Sequence, residues 1–123
     1  MSSFTSPLVV SPMPNGKDWK LDRPFTYRIH SRYSKRLISV PRGFVSDFAS
    51  IPKFIFWLLP WWAKFSKAPI LHDFLYKEKY LTRKESDDIF LEAMLIEWRN
   101  RKSRHLVAWI EYYAVRIFGG LVW

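Results

Sequence analysis

The sequence predicts an α+β fold in which a short N-terminal antiparallel sheet precedes a helical C-terminal half containing an antiparallel helix pair. Three observations predict it. Period-two alternation and turn signals are confined to residues 1–43. From Pro52 onward the pattern changes, with Pro60 and Pro69 bracketing the aromatic segment Trp61-Trp62. A helix-start signal at Thr82 then opens a segment whose apolar residues recur at helical spacing. With 123 residues, 49% of them hydrophobic, the chain has material for one core. The expected organisation is a single domain over residues 1–123, with 1–43 mainly β and 52–120 mainly α.

In order along the chain, Pro7-Leu-Val-Val reads as a first strand. Asn15-Gly16 is a hairpin turn signal, because both residues tolerate the positive φ that tight hairpins need. Trp19-Lys-Leu and Phe25-Thr-Tyr-Arg-Ile alternate with period two and continue the sheet. Ile38-Ser-Val-Pro is expected to be the last strand, ended by Pro41 and turned by Gly43. Phe54 to Leu59 is too continuously apolar for a half-exposed strand, which suggests a short buried helix or an irregular hydrophobic shoulder. Ala68 to Lys79 reads as a helix. Thr82-Arg-Lys-Glu85 is a capping box, in which hydroxyl and carboxylate each satisfy an orphan backbone donor. Beyond it Asp87, Phe90, Leu91, Met94 and Trp98 fall on one face, so Asp87 is carried by the apolar side. A last helix from about Ser103 to Phe118 is apolar nearly all round, with Gly119-Gly120 as its expected stop.

Composition narrows the function classes. The absence of cysteine excludes a disulfide framework and a thiolate zinc site, and suits a reducing cytoplasm or assembly into a larger particle. The N-terminus lacks the basic start and apolar run of a secretory signal. The longest apolar runs, Phe54 to Ala63 and Leu106 to Trp123, are interrupted by Pro60 and by Glu111 with Arg116, so no transmembrane segment is expected. A net charge of +9 biases the chain toward anionic lipid or nucleic acid. The charge gathers at Arg99, Arg101, Lys102 and Arg104, and at Arg23, Arg28, Arg32, Lys35 and Arg36. Solvated surface is the plain alternative, because no nucleic-acid-binding motif accompanies either group.

The residues able to carry chemistry are few. His72 and Asp73 sit in a strongly apolar helix, and buried charge needs partners. Asp87 on the next helix is the natural partner of His72, and Tyr76, one turn on, can donate to the same carboxylate. A carboxylate holding one imidazole nitrogen sets the tautomer and leaves the other nitrogen as a base. His72 is equally readable as a core histidine tying two helices together. Ser46, Asp47 and Ser50 lie in the turn-forming stretch Val40 to Pro52 and are candidates for loop or substrate contacts. Asp47 with Asp73 offers oxygen ligands to a hard cation such as calcium, although Asp47 also suits a cap or a turn. Ser50 lacks the G-x-S-x-G elbow of a nucleophile. His30 and His105 read as surface residues. Phe54, Phe56, Trp57, Trp61 and Trp62 read as core or as a membrane-interface or partner patch.

Val40-Pro-x-Gly-Phe-x-Ser-Asp-Phe-Ala-Ser-Ile-Pro52, His72-Asp-x-Leu-Tyr76, Arg83 with Asp87, Phe90, Ala93 and Met94, and Ala114-Val-Arg-x-Phe-Gly119 together resemble a family of uncharacterised small proteins of tailed bacteriophages and prophages. The likeness covers most of the chain after about residue 20. It implies a phage origin and hence the cytoplasm of an infected bacterial host, or the virion itself. Locally, His72-Asp73-Phe-Leu-Tyr76 and the following helix with Asp87 are similar to the helix pair of phospholipases A2, above all the small prokaryotic ones. That resemblance implies His72 as the base, Asp73 as a calcium ligand, and Tyr76 with Asp87 as supports. The disulfides and Gly-rich calcium loop of those enzymes are missing here, and Asp47 with its neighbours is the conjectured substitute. The expectation is a phage-encoded, His/Asp-dependent hydrolase, calcium-assisted in one version, acting on an ester of the bacterial envelope. The alternative is a non-enzymatic phage protein, either a minor tail or baseplate component or a binder of a host factor, with a structural His-Asp network.

Overall fold

The computed structural model describes residues 4, 8–14, 18–29, 37–46, 53–64, 66–121 and 123. Within them the fold is α+β, with short antiparallel strands first and packed helices after.

The strands are β1 (Val10–Pro12), β2 (Trp19–Leu21), β3 (Phe25–Arg28), β4 (Leu37–Val40) and β5 (Val45–Ser46). They form two small sheets where the alternation suggested one, ordered β1-β2-β5 and β3-β4. The break falls between β2 and β3, where Asp22 N–H turns back to the Val9 carbonyl at 2.8 Å and Pro24 has no N–H to continue a ladder. Met13 N–H donates to the Asp18 carbonyl at 2.8 Å and closes the β1-β2 pair. The Asn15-Gly16 turn signal, like His30, lies outside the described residues. In the second pair Phe25, Tyr27, Ile38 and Val40 point into the core while Arg28, Leu37 and Ser39 do not, so the alternation sets the buried face.

The strand at Ile38 to Val40 is not the last, as the sequence suggested. Gly43, at φ 90°, reverses the chain and donates its N–H to the Leu21 carbonyl at 2.7 Å, which brings β5 alongside β2. A side chain at that φ is strained, so the turn needs glycine.

Five helices follow: α1 (Lys53–Leu58), α2 (Trp61–Lys64), α3 (Lys67–Glu78), α4 (Arg83–Glu97) and α5 (Arg104–Phe118), with a 3₁₀ turn at Gly119–Leu121. The segment expected to be a short buried helix or an irregular shoulder forms α1, with Phe54, Trp57 and Leu58 exposed, Ile55 partly buried against the core and Leu59 beyond it buried. Trp62 instead packs edge-on against Trp98, with ring centroids 5.1 Å apart.

Helix ends position the site. The first N–H groups of α3 are held from another helix, as the Glu97 carboxylate accepts from Lys67 N–H at 2.7 Å and Ala68 N–H at 2.8 Å. Burial raises the Glu97 pKa, and these two donors act against the rise. Lys79 then stops α3 in the left-handed region at φ 56°, its N–H returning to the Leu75 carbonyl. The Thr82 capping box is complete, with Glu85 N–H on the Thr82 hydroxyl and Thr82 N–H on the Glu85 carboxylate, both at 3.1 Å. Together these ends fold α4 back antiparallel to α3, and α5 antiparallel to α4. The core between the layers holds Phe25, Tyr27, Leu71, Ile89, Phe90 and Met94. Tyr27 donates its hydroxyl to Glu92, tying the strands to α4.

Candidate functional site around Asp87

The α3-α4 reversal places His72 opposite Asp87. Both are fully buried, and His72 Nε2 stands 2.7 Å from Asp87 Oδ1. Tyr76, one turn along α3, donates its hydroxyl to the same Oδ1 at 2.6 Å. Phe90, three residues beyond Asp87 and so on the same face of α4, stacks on the imidazole at 4.3 Å between centroids. The imidazole is therefore fixed in angle as well as position.

The other carboxylate oxygen is held from α5. Arg116 Nη1 donates to Asp87 Oδ2 at 2.8 Å, and Arg83, one turn before Asp87, comes within 3.8 Å of it. Arg83 also donates to the Val115 carbonyl at 3.1 Å and the Arg116 carbonyl at 3.3 Å, where its charge complements the C-terminal end of α5. Asp87 thus joins side chains from α3, α4 and α5. The motif residues His72, Tyr76, Arg83, Asp87 and Arg116, distant in sequence, meet at one carboxylate.

Electrostatics follow from this wiring. Burial pushes the His72 pKa below its ordinary value, and the bond to Asp87 only partly opposes that, so the imidazole is neutral at neutral pH. Burial alone would raise the Asp87 carboxyl, but hydrogen bonds from His72, Tyr76 and Arg116 outweigh it and hold the group below the usual range. The Tyr76 hydroxyl is raised by burial and by its bond to the carboxylate, and stays protonated. A neutral imidazole facing a carboxylate carries its proton on Nε2, which puts the lone pair on Nδ1.

Asp73 is buried too, with Oδ2 3.3 Å from Lys77 Nζ, and Lys77 also donates to the Val45 carbonyl at 2.9 Å. Lys77 thereby links β5, with its buried Ser46, to α3 beside Asp73. Asp47 and Ser50 lie outside the described residues. Among the described residues no group of three or more His, Asp or Glu side chains is arranged to hold a metal ion. His105 is exposed on α5 and takes no part.

Two members of the cluster, Arg116 and Gly119, enter from the sequence only through a shared motif. Arg116 is a cation inside an apolar helix, which could have marked it as paired. Gly119, the expected stop, does cap α5 after Phe118, in the right-handed region at φ −61° and leading into the 3₁₀ turn. The reason for glycine there is space, since a Cβ would stand 2.5 Å from the Tyr76 hydroxyl oxygen. Gly119→Ala should displace that hydroxyl from Asp87 and destabilise the protein by about 1–2 kcal/mol, read by thermal denaturation. Gly120→Ala, whose Cβ would meet nothing closer than 3.9 Å, serves as control.

No curated protein and no solved structure matches the chain. Residues 19–115, most of the chain and the whole of α3 and α4, match the family described as "Protein of unknown function (DUF1353)". The chain that gathers these side chains around Asp87 therefore belongs to the DUF1353 family of proteins of unknown function.

Proposed function

We propose that this chain is a phage-encoded hydrolase of an ester in the bacterial envelope, with His72 as general base. The observation that carries the reading is the shared acceptor: Asp87 Oδ1 receives both His72 Nε2–H and the Tyr76 hydroxyl. That arrangement orients the imidazole and fixes its tautomer, as the general-base role requires. The water would attack the ester carbonyl as its proton passes to the imidazole, the imidazolium so formed would be stabilised by the Asp87 carboxylate beside it, and it would return the proton to the alkoxide as the ester C–O bond breaks, releasing acid and alcohol. This is also the relation that the resemblance to phospholipases A2 implies for His72, Tyr76 and Asp87. No step is assigned to calcium.

A second reading rests on a different observation. His72 is wholly buried and Asp87 is tied to Arg116 of another helix, as suits a polar lock that fixes three helices in a non-enzymatic phage protein. One experiment separates the two. His72→Asn is compared with the natural sequence for fatty-acid release from bacterial phospholipid extract by mass spectrometry, alongside matched melting curves. Release that falls to the buffer blank in a variant of unchanged melting temperature supports the hydrolase. No release from either protein, with the variant melting well below the natural one, rejects it and leaves the lock.

A further inference from the structure

The inner side of α5 carries Ala108, Ala114 and Val115 together with Glu111, fully buried, and Arg116, turned toward Asp87. Its solvent side shows Leu106, Trp109, Ile110, Tyr113 and Ile117, all exposed and all uncharged. Positions 106, 110, 113 and 117 are spaced four, three and four apart, so they form one continuous stripe along the helix. Ile117 is 70% exposed, and a stripe of such residues is not the ordinary outer face of a helix.

α1 extends the same surface. Phe54 meets Phe118 edge-on with ring centroids 5.6 Å apart, which sets the exposed Trp57 and Leu58 beside the α5 stripe. A shallow cleft between the two helices is floored by Ile55 and Ala114 and is almost purely apolar.

The charge around this surface says what covers it. Most described carboxylates are engaged within the fold. Asp73 is on Lys77, Asp87 on Arg116, Asp88 on Lys84 and Tyr112, Glu92 on Tyr27, Glu97 on the start of α3, and Glu111 is buried. Over the whole chain lysine and arginine outnumber aspartate and glutamate by nine, and exposed Arg99 and Lys102 lie in the turn that leads into α5. A second copy of the chain would bring another strongly cationic molecule to a cationic rim. An anionic bilayer instead accepts all three features at once. Aliphatic side chains enter the acyl boundary, Trp and Tyr sit at headgroup level, and Arg and Lys meet lipid phosphate. No helix among the described residues is long and apolar enough to cross a membrane, so α5, about 22 Å long at its helical rise, would lie on the surface.

We propose that α1 and α5 form a docking face for an anionic lipid bilayer, with the Arg99 to Arg104 turn as its electrostatic rim. The inference does not depend on whether His72 is a base.

The test is co-sedimentation of the full chain with sucrose-loaded vesicles, either pure phosphatidylcholine or equal parts phosphatidylcholine and phosphatidylglycerol. The natural sequence sediments with the anionic vesicles and much less with the neutral ones. Leu106→Asp and Ile117→Asp, at exposed positions and checked by unchanged melting, each lower the partition coefficient about tenfold or more. Arg99→Gln and Lys102→Gln each lower it about fivefold. Failure to sediment with anionic vesicles overturns the proposal, as does sedimentation that the aspartate variants leave unchanged. A dimer in analytical ultracentrifugation that Ile117→Asp dissolves, without vesicle binding, gives the face to a second copy and equally overturns it.

Discussion

Asp87→Asn should cost this protein about 3–5 kcal/mol of folding stability, the usual loss when one partner of a buried, hydrogen-bonded charge pair is removed. The replacement keeps the shape and changes the bonding. If the new carboxamide keeps its oxygen toward His72 and Tyr76, its NH₂ faces the Arg116 guanidinium, donor against donor. If it turns over, His72 and Tyr76 lose their shared acceptor. No orientation satisfies both sides of a fully buried position. In a chain of 123 residues this loss lowers the melting temperature by about 10 °C or more, which circular dichroism would read directly. Arg116→Met in the same background should recover part of it, because the stranded cation is then gone and the two sites are in contact. A fall of only a degree or two for Asp87→Asn, or no recovery in the double variant, would mean that the network does not hold the helices together.

The pH dependence of this contribution has a fixed sign. The Asp87 carboxyl is held below its ordinary pKa, so its stabilisation is complete above about pH 4 and is lost as pH falls through the depressed folded value. His72 is also depressed, by burial. The unfolded chain takes up its proton first, and stability declines as pH falls below about 6.5. Both groups therefore make the protein acid-sensitive.

What the sequence disclosed and what it hid follow from the range of the interactions. The Thr82 capping box is a local device, and it set the start of α4 correctly. With that start known, helical spacing alone put Asp87 and Phe90 on the inner face, and the short connection to α3 brought His72 and Tyr76 to them. Arg116 lies 29 residues from Asp87, and nothing local in α5 states which cation will cross. The motif containing Arg116 and Gly119 was visible, but the steric demand on Gly119 comes from Tyr76, far away in sequence. The strands were legible individually, whereas their division into two sheets depends on hydrogen bonds around Asp22 and Gly43 that alternation does not encode. Phe54 and Trp57 of α1, open in the sequence between core and surface patch, are exposed, and the ambiguity has a related reason. A continuous apolar run reads as buried whether the covering surface belongs to the same chain or to a partner. The Val40 to Pro52 block, the most distinctive motif of all, passes out of the described residues at Asp47.

Glu111→Met should stabilise the protein by about 2–3 kcal/mol at neutral pH, an unusual direction for a fully buried position. The side chain is completely enclosed, and neither carboxyl oxygen has a hydrogen-bond partner among the described residues. Burial pushes its pKa well above the ordinary value, and the like charge of Glu97 adds to the rise. The folded chain therefore keeps a proton that the unfolded chain gives up above about pH 4.3, and stability falls as pH rises beyond that point. This is opposite in sign to the contribution of Asp87 and His72. Methionine fills similar volume, brings no polar atom and removes the titration, so its advantage over the natural sequence should widen as pH rises from about 5 to about 8. Glu111→Gln should flatten the pH slope in the same way but gain less, since an unpaired carboxamide is still buried. Melting curves of the three proteins across that range decide the matter. A methionine variant no more stable than the natural protein at the upper end would mean that the Glu111 carboxyl is satisfied in the folded chain. The expected gain would instead make Glu111 a residue retained against stability, directly beneath the apolar face that α5 presents to its surroundings.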